Sequence, residues 1–275
     1  MSVVAVGPAL DLEGPLPVAP RYRLLSVPGV LVSDDIRWLN GVNVDGYSCS
    51  IPSLWEPCSE GTFRTKSSES EQLMTRFDSF AVIQALTCSS LGMGDPEEFA
   101  QRAERVLDAT LSFGVEEGLS QGVAGSTNPF LGDGNVTVLG GGAVTAIVGL
   151  ALLEEAIGAT GRMGMIHVPP DVASVWSFDG GLVSDGEALK TWLGTLVASG
   201  GGYIGAQANG AAPGAGNAFV FATGPVQVRL SSVEVQTIRE VLDRSDNTVT
   251  FRAERYALAI WDTCLQVAVE IDYIP

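Results

Sequence analysis

DPEEFAQRAERVLDATLSFGVEEGL, residues 95–119, is the longest clear helical pattern in the chain. Asp95 suits an N-cap, Pro96 suits the first helical position, and Glu98 completes a capping-box spacing. Apolar and small residues then recur at intervals of three and four, which predicts one apolar stripe along a helix. The predicted stripe consists of Phe99, Ala103, Val106, Leu107, Thr110 and Phe113.

A helix of this length needs a large surface to pack against. At 1.5 Å per residue it is a rod of roughly 36 Å, whereas the mean helix has about 11–12 residues. Strand-like segments at 80–86, 248–261 and 265–274 can provide a sheet for its apolar side. The opposite face is polar and charged, with Gln101, Arg102, Glu104, Arg105 and Asp108.

The composition is strongly acidic. The 275 residues include 32 Asp and Glu against 15 Lys and Arg, a net charge of −17, and 46% hydrophobic residues. Nucleic-acid-binding surfaces need clustered Lys and Arg, and the sequence has no such cluster, so direct binding of nucleic acid is not expected. The N-terminus lacks the basic region of a signal peptide. The apolar run at 143–153 is too short for a membrane span and predicts a buried helix.

The cysteines lack the spacing of a metal site, and the single histidine excludes any site that needs two. Cys49, Cys58, Cys88 and Cys264 include no CxxC pair. Free buried thiols in a reducing cytosol are the expected state, and if a disulfide forms, Cys49 and Cys58 are the most plausible partners. The one histidine, His167, lies in an apolar segment and is expected to be a hydrogen-bonded core residue.

The motifs that could carry chemistry each have a simpler structural explanation. Residues 200–205 match GxGxxG, but a Gly- and Ala-rich segment follows instead of a helix, so a loop is expected and not a dinucleotide site. The acidic pairs at 116–117 and 154–155 could be metal ligands, but adjacent residues on a helix point apart, so solvated helix faces are expected instead. Trp55 and Trp261 are expected in the core or at subunit contacts. No catalytic, cofactor-binding or metal-binding residue is assigned, and an enzyme is not expected.

The order of segments predicts an α+β fold. Residues 1–29 are rich in proline and form an extended arm that orders on another surface, and residues 30–79 form a long polar flap. A mixed α/β lobe follows the long helix, and two strands close the chain. Within the lobe we expect a helix at 143–157, a strand at 163–168, a helix from Pro170, a strand-like segment at 189–199, and a hairpin of 218–222 with 226–230.

This order resembles the major capsid protein of tailed phages, the HK-ninety-seven-like fold that encapsulin shells share. Several segments resemble segments of structural proteins of actinobacteriophages: RWLNGV, LWEPC, FAVIQALTCSSLG, DPEEFAQRAERVLDA, GRMGMIHVPPDVASVW and RYALAIWDTCLQVAVEID. The resemblance implies an N-terminal arm at 1–29, an E-loop at 30–79, a P-domain at 80–135 and 246–275 with its spine helix at about 95–120, and an A-domain at 136–245.

The resemblance also implies a function. The chain would be a structural protein that self-assembles into the hexamers and pentamers of an icosahedral phage head enclosing double-stranded DNA. It would be made in the bacterial host cytoplasm and end in the virion, with scaffolding, portal and decoration proteins as possible partners and no cofactor, metal or membrane. The expected intersubunit contacts are Trp38, Trp55, Arg64, Lys66, Arg76, Arg102 and Arg105.

Three other possibilities are weighed against this one. An encapsulin-like cargo shell would share the fold, and a phage tail or decoration protein would bind a preformed shell; an enzyme is a distant third. Some capsids of this fold cross-link through a flap lysine and an asparagine. Lys66 is the only lysine placed for that reaction, and it has no convincing partner, so cross-linking is not expected.

Overall fold

The computed structural model describes residues 14–33, 35–46, 49, 74–89, 96–186, 188–205, 207–237 and 248–273. Its helices are α1 (Pro96–Gln121), α2 (Ala146–Ala159) and α3 (Pro170–Phe178), with short 3-10 helices at Leu24–Ser26 and Ile36–Asn40. Its strands are β1 (Val30–Val32), β2 (Val42–Asp45), β3 (Met74–Phe77), β4 (Phe80–Ser89), β5 (Thr137–Thr145), β6 (Met165–Val168), β7 (Leu182–Asp185), β8 (Ala188–Thr191), β9 (Leu196–Ser199), β10 (Asn217–Thr223), β11 (Val226–Leu230), β12 (Glu234–Thr237), β13 (Thr248–Trp261) and β14 (Gln266–Asp272).

The first sheet is built around β13, the longest strand. One edge of β13 pairs antiparallel with the whole of β4. Its other edge pairs with β12 and, farther along, with β11. β1 extends the sheet by pairing parallel with β11. The predicted strands at 80–86 and 248–261 are therefore neighbours, and together they form the surface on which α1 lies.

The second sheet has seven strands in the order β5-β14-β10-β6-β9-β8-β7. β10 pairs with β14 and β6 and not with β11, so the predicted hairpin of 218–222 with 226–230 is wrong. Residues 223–225 instead carry the chain from the second sheet to the first. β13 and β14 are divided between the sheets in the same way. Local sequence predicts each strand, but packing over long distances decides which sheet the strand joins.

Other parts of the lobe also differ from the prediction. β5 lies in a Gly- and Asn-rich stretch that predicted only a connection, and a register shift opposite its glycines interrupts its pairing with β14. The segment 189–199 is split between β8 and β9 by a turn. α2 begins at Ala146, and Ile147 and Val148 on its outer side are about half exposed, so this helix is not buried all round.

Two strands of the flap, β2 and β3, pair with each other as a two-stranded ribbon. β2 pairs antiparallel with β3, from Val42 opposite Phe77 to Asp45 opposite Met74. β2 and β3 both lie within the flap predicted at 30–79, whose bounds stay a prediction. Most of the flap between these strands lies outside the described residues.

Helix α1 has the predicted extent, and the first part of its stripe is buried as predicted. Ala103 and Leu107 are fully buried, and the ring of Phe99 stacks on that of Phe251 in β13 with centroids 5.9 Å apart. Thr110 and Phe113 are exposed instead of buried, and Phe113 keeps 40% of its surface accessible.

The second half of α1 turns a different face toward the protein. The buried row continues at four-residue spacing as Leu111, Val115 and Leu119. Each step of four residues advances about 40° around a helix of 3.6 residues per turn, so the row rotates along the rod. The helix therefore packs on the first sheet in both halves, and its second half also contacts the lobe and the arm.

The last residues of the predicted arm are packed in the hydrophobic core. Residues 14–20 are exposed, but Leu24 and Val27 are 1% and 5% exposed and belong to the main hydrophobic cluster. The Ser199 amide donates a 2.7 Å hydrogen bond to the carbonyl of Tyr22. Residues 22–28, which fall within the predicted arm, are thus part of the folded subunit.

A disulfide links the flap to the connection between the two sheets. Cys49 bonds Cys264, which lies between β13 and β14, with the two Cα atoms 5.1 Å apart. The expectation of free thiols is wrong for these two residues, and the alternative pairing of Cys49 with Cys58 is wrong as well. The two bonded cysteines are 215 positions apart in sequence, a distance at which sequence spacing carries no information about pairing.

His167 is a satisfied core residue, as predicted. Its ring is fully buried between the Tyr203 hydroxyl, 3.1 Å from Nδ1, and Thr223 Oγ1, 3.0 Å from Nε2. The Thr223 hydroxyl donates to the carbonyl of Gly224, so it accepts from Nε2–H and the tyrosine donates to Nδ1. Burial lowers the pKa of His167 to about 3, which keeps the ring neutral.

Candidate assembly site

Glu116 in α1 holds three segments of the chain together. Its Oε1 accepts hydrogen bonds from the Leu24 amide at 3.0 Å and the Ser112 hydroxyl at 2.9 Å. Its Oε2 accepts from the Gly202 amide at 3.3 Å, and the Ser120 hydroxyl donates to the Gly202 carbonyl at 2.8 Å. This carboxylate therefore ties the end of the arm and the 200–202 loop of the lobe to the long helix.

The environment of Glu116 is unusual for a carboxylate. The side chain is fully buried, and burial raises its pKa even though the Leu24, Ser112 and Gly202 donors oppose that shift. The expectation of a solvated face for the pair 116–117 is wrong for Glu116, whereas Glu117 is exposed. Adjacent residues do point apart, but the face that Glu116 occupies is covered by the arm and the lobe.

The glycines at 200–205 allow the close approach of the lobe to α1. A Cβ at Gly202 would lie 2.4 Å from the Phe113 carbonyl oxygen. The segment is a loop, as predicted, and it packs on a helix side instead of opening at a helix N-terminus. It has no geometry for a dinucleotide. Within the described ranges, no cluster of three His, Cys, Asp or Glu could hold a metal ion.

The lobe carries a group of exposed apolar side chains, which we name the apolar tip. Trp192 and Leu193, in the turn between β8 and β9, are 74% and 80% exposed. With Ile147 of α2 they line an open depression of about 460 Å³. Phe178 at the end of α3 is 92% exposed, and the Trp192 indole N–H bonds the nearby Gly180 carbonyl. Apolar surface gathered in this way commonly marks a protein–protein contact.

The predicted site residues did not include the apolar tip. A sequence signal was present, since WLG places two large apolar side chains in a turn, where polar residues are the norm. The expected strand over 189–199 concealed it, because a strand would have buried half of those residues. Only the split into β8 and β9 brings Trp192 and Leu193 to the surface.

Three of the predicted contact residues are arginines at or near the surface. Arg76 is paired with Asp78 at 2.8 Å and donates to the Asn40 carbonyl. Arg102 is paired with Glu98 at 2.6 Å, and its guanidinium lies 5.2 Å from the centroid of the Phe99 ring. Arg105 is exposed on α1.

The other predicted contact residues are of two kinds. Trp38 is 4% exposed and packs in the core of its own subunit, so its side chain presents no surface to a neighbour; this part of the prediction needs correction. Trp55, Arg64 and Lys66 lie outside the described residues. Trp261 is buried, and its ring meets Phe77 edge-on with centroids 4.9 Å apart.

No helix in the described ranges has both the length and the apolarity that a membrane span needs. Comparison by sequence finds no matching family model and no matching curated protein.

Comparison by structure does find matches, along nearly the whole chain. The capsid of an empty GTA particle has a TM-score of 0.59 and 13% identity, covering 97% of this chain and 95% of that one. A chain of Gordonia phage Cozz has a TM-score of 0.55 and 12% identity, with 97% and 91% covered. The holo-SrpI encapsulin complex from Synechococcus elongatus PCC 7942 has a TM-score of 0.54 and 10% identity, with 98% and 92% covered. At such identities the similarity is one of fold, and the chain has the α+β major capsid fold that tailed phages and encapsulin shells share.

Proposed function

We propose that this chain is the major capsid protein of a tailed phage, whose copies form the hexamers and pentamers of an icosahedral head around double-stranded DNA. The observation that carries the proposal is the match of fold, which extends over 97% of this chain and 95% of a capsid chain. A partial match could reflect a shared module. A match along nearly the whole of both chains supports a shell-forming subunit.

The apolar tip supports self-association as the main activity. Large aromatic side chains bury roughly 150–250 Å² each when covered, so Phe178 and Trp192 alone offer a substantial part of the approximately 800 Å² per partner of a standard interface. We propose that the tip packs against a neighbouring copy within a capsomer. Arg76, Arg102 and Arg105, with Trp55, Arg64 and Lys66 of the flap, are proposed as further intersubunit contacts.

The charge of the chain fits a container better than a DNA-binding protein. A net charge of −17 gives a subunit that repels phosphate, so DNA inside the shell would be held by confinement and would stay mobile. The proposed division of the subunit remains an arm at 1–29, an E-loop at 30–79, a P-domain at 80–135 and 246–275, and an A-domain at 136–245. Scaffolding, portal and decoration proteins are the proposed partners, and the virion is the proposed location.

Electron microscopy of the purified chain tests the proposal. Negative staining of the protein expressed alone, or with a scaffolding protein, should show capsomers, sheets or closed shells. The double variant Trp192→Ser/Leu193→Ser should remain folded by circular dichroism and fail to form them. Met163→Ser changes a similarly exposed apolar residue outside the tip and should assemble normally. A wild-type chain that stays monomeric, or forms only trimers as a decoration protein would, refutes the proposal.

An encapsulin-like cargo shell is the second candidate, favoured by the match to the holo-SrpI encapsulin complex. The two candidates differ in the contents of the shell. Particles purified from the natural source should contain nuclease-protected double-stranded DNA if the chain is a phage capsid protein. Particles that instead retain a defined protein cargo would favour the encapsulin-like function.

A further inference from the structure

Cys264 is held in place by contacts that do not involve its disulfide. It lies in the turn between β13 and β14, where its amide donates a 3.1 Å hydrogen bond to Asp262 Oδ1. The other oxygen of that carboxylate is paired with Arg162 at 3.2 Å. The Gly224 amide also donates to the Leu265 carbonyl at 3.3 Å, which ties the turn to the connection between β10 and β11. The fold by itself therefore sets the position of the Cys264 backbone.

Cys49 is held near this turn by the two-stranded ribbon. β2 ends at Asp45, and four residues of extended chain span at most roughly 14 Å, so Cys49 stays close to the end of β2. Two valines of β2 pack against the main hydrophobic cluster. In β3, Phe77 is 1% exposed, and its ring meets that of Trp261, which lies shortly before Cys264 in the chain. Noncovalent packing thus brings the two cysteines together before any bond forms.

Both cysteines are accessible in the folded subunit. Cys49 is exposed, and Cys264 is partly exposed. Cys264 also lines an open depression of about 430 Å³ together with Thr75 and Thr263. Thiol–disulfide exchange requires that a small thiol or disulfide reaches one of the two sulfurs. The depression provides that access, so the bond can form and be reduced while the rest of the subunit stays folded.

The bond restrains a weak part of the structure. β2 and β3 form a separate sheet of two strands with four residue pairs. A two-stranded ribbon of this length is marginally stable, and elements of low stability open locally while the core stays closed. A covalent tie at Cys49 therefore acts on the opening of this ribbon. We name β2, β3 and Cys49 together the flap root.

We propose that Cys49 and Cys264 form a redox clasp, which is open as two thiols while the chain is made and joins its shell, and closes as a disulfide after release from the cell. The timing rests on the proposed function, because a bacterial cytosol keeps thiols reduced and a released phage particle leaves that environment. The open clasp lets the flap root adjust as neighbouring copies come together. The closed clasp fixes the flap root to the connection between the two sheets.

A small disulfide such as glutathione disulfide is a sufficient oxidant for closing the clasp. One cysteine thiolate attacks a sulfur of glutathione disulfide, which forms a mixed disulfide and releases one glutathione thiolate. The other cysteine thiolate attacks the protein sulfur of the mixed disulfide, and the second glutathione leaves. The two protons lost by the cysteines end on the two released glutathiones. One glutathione disulfide is thus reduced for each protein disulfide that forms.

Oxidation of the folded, unassembled chain tests the clasp. Full-length wild-type protein in dithiothreitol should keep its circular dichroism spectrum at room temperature. After the reductant is exchanged for glutathione disulfide, mass spectrometry of a peptide digest should recover Cys49 bonded to Cys264. Hydrogen exchange of the amides in 42–45 and 74–77 should become at least about tenfold slower, while exchange within 103–119 should stay unchanged.

Serine variants separate the clasp from other effects of oxidation. Cys49→Ser and Cys264→Ser should exchange at the reduced rate in both conditions. Cys58→Ser is the matched control and should behave as the wild type does. Loss of the circular dichroism spectrum on reduction overturns the proposal, since the bond would then be needed for folding. Equal exchange of the flap root before and after oxidation overturns it as well.

Trapping of thiols in cells tests the timing. N-ethylmaleimide added to expressing bacteria before lysis should modify both Cys49 and Cys264, whereas the same treatment after incubation of the purified chain with glutathione disulfide should modify neither. A bonded pair in the trapped cells overturns the proposal. These measurements need no assembled shell, so a chain that closes its clasp but forms no particles refutes the proposed function and not the clasp.

Discussion

The backbone amide of Leu24 donates a 3.0 Å hydrogen bond to Glu116 Oε1, joining residues 92 positions apart in the interior of the subunit. The same carboxylate accepts from the amide of Gly202. The arm, the long helix and the lobe thus meet at one ionisable group. Because an unpaired buried donor costs free energy, each of the three segments depends on Glu116 being present.

Replacement of Glu116 should loosen this junction. Glu116→Ala leaves the buried amides of Leu24 and Gly202 without an acceptor, so we expect the free energy of unfolding to fall by about 2–3 kcal/mol. Limited proteolysis should also cut faster after Arg21 or Arg23. Urea denaturation measures the first effect and trypsin digestion the second. Glu117→Ala, the exposed neighbour, should change stability by less than about 0.5 kcal/mol; equal effects of the two variants would contradict the role of Glu116.

His167 should make the subunit sensitive to acid. Burial lowers its pKa to about 3 from an ordinary 6.5, so between these values the unfolded chain binds a proton that the native chain does not. The free energy of unfolding should therefore decrease as pH falls from 6.5 toward 3, by at most about 1.4 kcal/mol per pH unit from this residue. Urea denaturation at pH 7, 6, 5 and 4 should give a smaller decrease for His167→Gln than for the wild type. Parallel curves would contradict this assignment.

Glu116 should change the free energy of unfolding with pH in the opposite direction to His167. Its pKa is raised above the ordinary 4.5 by burial, so just above pH 4.5 the native chain holds a proton that the unfolded chain has lost. Its contribution to the free energy of unfolding consequently decreases as pH rises through that window and is constant above the raised pKa. Glu116→Gln should remove this component and leave the His167 component in place. The difference between the wild-type and Glu116→Gln curves measures it directly.

The Cys49–Cys264 bond should be detectable and stabilising. Cross-linking residues 215 positions apart removes chain entropy from the unfolded state, on the order of 5 kcal/mol in the simplest model. Cys49→Ser, or reduction with dithiothreitol, should therefore lower the melting temperature, while Cys58→Ser should not. Non-reducing peptide mapping should recover a Cys49–Cys264 peptide. Recovery of a Cys49–Cys58 peptide would contradict the pairing.

Gly202 should tolerate no side chain. A Cβ there would lie 2.4 Å from the carbonyl oxygen of Phe113 and 2.6 Å from Glu116 Cβ, so the loop or the helix must move. Gly202→Ala should cost about 1–3 kcal/mol in thermal or urea unfolding. Gly134→Ala is the matched control, because nothing lies within 4 Å of its added Cβ. A neutral Gly202→Ala variant would show that the loop packs less closely on α1.

Truncation should separate the free part of the arm from the folded part. Removal of residues 1–19 leaves Leu24 and Val27 in the core and should give a folded subunit. Removal of residues 1–28 deletes both side chains, whose burial is worth roughly 3–6 kcal/mol together, and leaves Glu116 without its Leu24 donor. That variant should be poorly folded by circular dichroism. Similar folding of the two truncations would contradict the boundary near residue 20.

Local patterns in the sequence were sufficient to predict individual helices and strands. The spacing of apolar residues predicts α1 almost to its ends, and the strand-like segments at 80–86, 248–261 and 265–274 predict β4, β13 and β14, because helix and strand patterns depend on neighbouring residues alone. The order of these elements also carried the resemblance to the capsid fold. The neutral, hydrogen-bonded state of His167 was likewise predictable from its apolar surroundings.

The tertiary structure alone decided how the elements meet. It divides β10 and β11, and then β13 and β14, between two sheets, buries Glu116 beside an exposed Glu117, and pairs Cys49 with Cys264. It also exposes Trp192 and Leu193 by inserting a turn between β8 and β9. Each of these outcomes depends on contacts between residues far apart in sequence. Such contacts form only where the packing free energy of the whole chain outweighs local preference, so no window of neighbouring residues contains them.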